Sequence, residues 1–148
     1  MSEKAGNEGK IEFAVGLIVF AAIFIGSGVL HFLHPEPYVR IVPPLLPWPR
    51  ALVYISGAAE IVGGAGLLVR KLRRPSAFGL ALLLVAVWPA HIYMAAAHVA
   101  FPGAMGESWV QWGRVPLQIP LILWALHYTK APATKRFSAP QTGPGATS

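Results

Sequence analysis

The chain has 148 residues, room for one domain; 55% are hydrophobic and only 12% carry a formal charge. Soluble domains devote roughly a quarter of their residues to charge, so a soluble fold of this size is excluded for want of charges to cover its surface. The net charge of +6 does not mark a nucleic-acid partner, because Lys and Arg gather at the ends of apolar runs without interleaved aromatics, as membrane-surface anchors do. Cysteine is absent, which excludes disulfides, thiol redox chemistry, Cys-ligated zinc and iron–sulfur clusters.

Residues 1–9 are small and polar and read as a disordered tail. The first apolar run covers about residues 12–33 and has no formal charge from Phe13 onward, enough to cross a hydrocarbon core of ~30 Å. It exceeds the length of a signal-peptide apolar region and is expected to stay as a span. The next segment, His34 to Arg50, holds six of the fourteen prolines, alternating with Tyr38, Ile41, Leu45, Leu46 and Trp48. Proline fixes φ and disfavours helix in the residue before it. This loop is therefore either a semi-rigid lid on the bilayer surface or bundle mouth, or a plain connector.

The second span, residues 51–69, carries Glu60 and four glycines, Gly57, Gly63, Gly64 and Gly66. With Gly26 and Gly28 of the first span they predict close helix packing. A basic turn from Arg70 to Arg74 leads into the third span, residues 76–99, with His91 and His98. The fourth, residues 110–128, is interrupted by Arg114, Pro116, Gln118 and Pro120 but framed by Trp109, Trp112, Trp124 and Tyr128, aromatic residues of the kind that anchor a span at the interface. Residues 131–148 read as a second disordered tail. The predicted fold is all-α, a four-helix transmembrane bundle over residues 10–130.

Lys4, Lys10, Arg70, Lys71, Arg73, Arg74, Lys130, Lys135 and Arg136 fall on one side of this arrangement, and Arg40, Arg50 and Arg114 on the other. Nine against three puts both termini in the cytoplasm by the positive-inside rule.

An ionisable side chain at membrane depth costs roughly 3 kcal/mol or more and needs a partner. Glu60 lies about 13 Å below the outer start of its helix at 1.5 Å per residue. His31 ends the first span, His91 sits in the outer half of the third, and Arg114 and Gln118 share a face of the fourth. All five fall between the midplane and the outer surface. Glu60 is either neutral and hydrogen-bonded to a carbonyl or Ser56, or ion-paired with Arg114. His91, Met94 and His98 share a helical face that suits a packed interior, a haem edge or a quinone. No metal site is expected, since no tight ligand pair sits with a carboxylate, and no hydrolase arrangement is visible.

The blocks Gly28-Val-Leu-His31-Phe, Ile41-Val-Pro43-Pro44-Leu-Leu-Pro47, Ser56-Gly57-Ala-Ala-Glu60-Ile, Trp88-Pro-Ala-His91-Ile-Tyr-Met94 and Arg114-Val-Pro116-Leu-Gln118 together resemble the DoxX-like family of small bacterial integral membrane proteins, over about Ile11 to Tyr128. The resemblance implies a four-helix bundle in the bacterial inner membrane. It also implies the role of some members as subunits of quinone-linked oxidoreductases or redox complexes, with partner subunits, or that of distant relatives as assembly chaperones. On that reading Glu60, His91 and Arg114 carry the chemistry. Arg114 or His91 would bond a quinone carbonyl, Glu60 would relay a proton, and His31, Trp88, Tyr93, Trp112 and Gln118 would line the pocket. The alternative is a non-enzymatic scaffold or assembly factor in which the Glu60–Arg114 pair only holds helices together.

Overall fold

A computed structural model of the protein describes residues 2–99 and 107–130, with side chains from residue 8 onward. Its elements are five helices: α1 Ser2–Leu33, α2 Pro35–Arg40, α3 Pro49–Leu68, α4 Arg73–Ala96 and α5 Ser108–His127. There is no strand among the described residues.

Helix α1 runs back through the segment expected to be a disordered tail, as far as Ser2. Its Lys, Glu and Ala residues are good helix formers. Once the apolar run has nucleated a helix, extending it through such residues is cheap. The expected tail at 131–148 lies outside the described residues.

The proline-rich segment also departs from expectation, because it contains α2. Pro35 and Pro37 both fall in the first turn of this helix, where a backbone N–H has no intrahelical partner to lose. An ion pair between Arg50 and Glu36 ties α2 to the start of α3. Both side chains are mostly exposed, so Arg50→Ala is expected to cost less than about 1 kcal/mol, measured by thermal unfolding in detergent micelles.

Helix α4 stops at Ala96, short of the expected end at Val99. His98 takes a left-handed backbone, φ 49°, and the Val99 N–H donates to the Met94 carbonyl at 3.2 Å. This is a Schellman-type ending with His in the position glycine usually fills. His98 consequently leaves the helix and does not share the His91–Met94 face.

Packing follows the order α1 on α3, α3 on α4 and α4 on α5, with α2 laid against α1 and α3. The circuit closes through aromatic rings, Phe13 against Tyr128 and Phe20 against Trp124. Antiparallel succession brings the start of α1, the α3–α4 turn and the end of α5 to one basic end. There Arg73 donates to the Leu67 carbonyl at 3.1 Å, capping α3, and its guanidinium lies 5.7 Å from the Phe13 ring centre.

The predicted close packing is borne out between α1 and α3. A Cβ added at Gly28 would sit 2.5 Å from the Gly57 carbonyl oxygen, and one at Gly64 would sit 3.0 Å from the Ala21 carbonyl oxygen. The apolar core, centred on Phe20, Phe24, Leu67, Leu80, Leu84 and Tyr128, fills the basic half. Polar side chains fill much of the other half.

Three helical stretches, Glu8–Leu33, Pro49–Leu68 and Arg73–Ala96, are long and apolar enough to cross a membrane. Helix α5 matches α3 at 20 residues but is not among them, because Gln111, Arg114 and Gln118 dilute its apolar character.

Candidate functional site

Glycine contact between α1 and α3 decides where the site forms. Gly28 and Gly57 bring the two backbones together, and the next inward positions, His31 and Glu60, are pressed against each other. Both are buried, 7% and 8% exposed, with Nδ1 of His31 3.8 Å from Oε2 of Glu60. The partner set against Glu60 is thus His31, in place of the expected Arg114.

The hydrogen bond made by Nδ1 goes elsewhere, to the Ser27 carbonyl at 2.8 Å one turn back. The imidazole therefore stands beside the carboxyl group without bonding it and leaves Oε2 buried with no hydrogen-bond partner among the described residues. Such an orphaned buried acceptor costs about 1–3 kcal/mol unless a water or ligand fills it.

Tyr38 of α2 covers this pair. Its ring stacks on His31 with centres 3.9 Å apart and planes 24° from parallel, and Phe32 stacks on Tyr54 beside it at 5.3 Å. This is the lid-like role considered for the proline-rich loop, supplied by one aromatic residue. Burial raises the Tyr38 phenol above its ordinary value of 10.0, Glu60 adds to that and Arg114 opposes it. A raised value means the fold favours the neutral phenol, so the contribution is fully present below pH 10 and is lost as pH climbs through the folded value. Alkaline titration followed by phenolate absorbance is expected to show a late-ionising phase that loses one tyrosine's absorbance in Tyr38→Phe, and a late phase of equal size in both proteins would refute this.

A second polar group lies between α4 and α5. Gln118 donates to the Leu84 carbonyl at 2.7 Å, Trp88 to the Val115 carbonyl at 3.1 Å and Gln111 to the Val99 carbonyl at 2.8 Å. Arg114 reaches Met94 Sδ at 4.0 Å. Nδ1 of His91 is buried without a hydrogen-bond partner among the described residues. The Arg114 charge acts on both His91 and Tyr38, so the two groups belong to one electrostatic neighbourhood.

The structure therefore brings together His31 with Glu60, and His91 with Arg114 and Gln118. Trp88 and Tyr93 are half-buried on α4. Trp112 is 50% exposed and turned outward, so it does not line a pocket as expected. Among the described residues no three His, Asp or Glu side chains gather as a metal site would require. Sequence reasoning missed Ser27 and Tyr38. The i,i+4 spacing of Ser27 and His31 was available as a signal, but the stacking of Tyr38 depends on how α2 folds back.

These features define a helical membrane protein with a buried acid–imidazole pair beneath an aromatic cover. The chain belongs to the family described as a domain of unknown function, DUF8561, which matches residues 20–129. No match is found among curated proteins or among solved structures.

Proposed function

We propose that this chain is a four-span protein of the bacterial inner membrane with both termini cytoplasmic, serving as the DoxX-like membrane subunit of a quinone-linked oxidoreductase or redox complex. The observation that carries the reading is the pair of buried, unsatisfied polar atoms, Oε2 of Glu60 and Nδ1 of His91, in a membrane-embedded neighbourhood that also holds Arg114. Intramembrane ionisable groups mark ligand or proton pathways by default. A quinone headgroup presents carbonyl oxygens to which Arg114 and an imidazole N–H of His91 would donate.

The fourth span is supported by the way α5 is turned. Its exposed residues Trp109, Trp112, Leu117, Ile119 and Leu123 are apolar, while Gln111 and Gln118 are buried. Two of the polar groups that lower its hydropathy, Gln111 and Gln118, thus face protein, and Arg114 is half-buried. The orientation rests on nine basic residues against three.

Quinone reduction consumes electrons and protons. Glu60, paired with His31 and covered by Tyr38, would hold and pass the proton, and a partner subunit would supply the electrons. The test is tryptophan quenching and thermal shift with a short-chain quinone, on the purified chain in lipid nanodiscs. Wild type is expected to bind, and Arg114→Gln to bind about tenfold more weakly, the worth of one charged hydrogen bond, while staying folded. No quenching and no shift in either protein would remove the reading. The scaffold reading would then stand, favoured by the placement of the His31–Glu60 pair at the tightest α1–α3 contact.

A further inference from the structure

We infer that the groove between α1 and α5 at the basic end binds the headgroup of an amine-bearing phospholipid. This inference is independent of the quinone reading and concerns the opposite end of the helices. Although α3 lies backbone to backbone on α1, α5 reaches α1 through rings, and the space left between them is a groove of about 550 Å³. Gly9, Glu12 and Gly16 line it from α1, and Trp124, His127 and Tyr128 from α5.

The walls are fixed. Trp124 donates to the Tyr128 hydroxyl at 2.8 Å, and Phe13, which also lines the groove, meets the Tyr128 ring edge-on at 5.3 Å. Gly9 keeps the entrance wide, since a Cβ there would meet nothing within 4 Å.

Charge selects the occupant. Glu12 lies inside the apolar stretch Glu8–Leu33 with its side chain exposed, and it is in neither of the ion pairs found among the described residues, His31–Glu60 and Arg50–Glu36. A carboxylate at a membrane boundary beside aromatic faces is a receptor for an ammonium group. Arg73, over the Phe13 ring, puts a positive charge nearby for a phosphate. The groove thus offers a negative and a positive group to one molecule, at the level where headgroups lie. A primary ammonium can hydrogen-bond Glu12, a choline has no N–H to give, and a phosphatidylglycerol would set its only charge near a carboxylate.

The test is native mass spectrometry of the full chain with phosphatidylethanolamine, phosphatidylcholine and phosphatidylglycerol of identical acyl chains. The ethanolamine lipid is expected to be retained about tenfold more strongly than either of the others. Glu12→Gln should remove the preference, and so should Gly9→Leu, whose side chain enters open space and leaves the fold intact. Equal retention of the three lipids would overturn the inference, as would a preference surviving in both variants. Soluble phosphoethanolamine binding as tightly as the lipid would assign the groove to a free amine and overturn it too.

Discussion

His31→Ala is expected to destabilise the protein by about 1–3 kcal/mol, because it removes the side chain packed against a buried carboxyl group and leaves that group facing a void. Both side chains are about nine-tenths buried, and the carboxylate oxygen that faces His31 has no hydrogen bond to fall back on. Loss of the ring also strips Tyr38 of its stacking partner. The double variant His31→Ala with Glu60→Gln should recover part of the loss, because an amide brings its own donors to the space the imidazole leaves. Thermal unfolding in detergent micelles across the four proteins gives the coupling directly. Additive losses would mean that the two side chains do not act as a pair.

Gly28→Ala should be nearly as damaging, by about 1–3 kcal/mol, although it adds only one methyl. The new carbon would fall 2.5 Å from the Gly57 carbonyl and 2.7 Å from an Ile61 side-chain carbon. A flexible side chain can move aside, but a backbone carbonyl in a neighbouring helix cannot, so α1 and α3 must separate. Because His31 and Glu60 hang from those same surfaces, their 3.8 Å approach would open as well. Gly26→Ala is the control: an added carbon there meets nothing within 4 Å, and Ala is the better helix former by up to about 1 kcal/mol. It should leave stability unchanged or slightly raised. Similar melting temperatures for the two variants would contradict the packing described for α1 and α3.

Much of the helical layout was legible without coordinates, because an apolar run of about twenty residues has few alternatives in a bilayer. The second and third runs, predicted at 51–69 and 76–99, correspond to α3 and α4 within about three residues. Errors occurred where local chemistry outweighed a compositional rule. Charged helix formers prolonged α1 to Ser2, and prolines in a first turn permitted α2. A left-handed residue at His98 ended α4 early.

The candidate site was legible only in part. That Glu60 must be buried and partnered follows from its position in an apolar run, and the structure bears this out. Of the two states considered for it, the ion pair named Arg114, whereas the side chain set against the carboxyl group is His31.

Two glycines, Gly28 and Gly57, decided the matter by letting α1 approach α3 more closely than α5 approaches either, and that put an imidazole beside the acid. Composition and charge spacing, which are properties of short stretches, determined that the chain is helical, suited to lipid, and basic at the ends of its runs. Which side chain meets which was decided by helix separation and rotation, set jointly by residues far apart in the chain. The same holds for the turn of α5 that hides Gln111 and Gln118 while exposing Trp112. Hydropathy averages over a helix's circumference, whereas packing divides that circumference into a face toward protein and a face toward lipid.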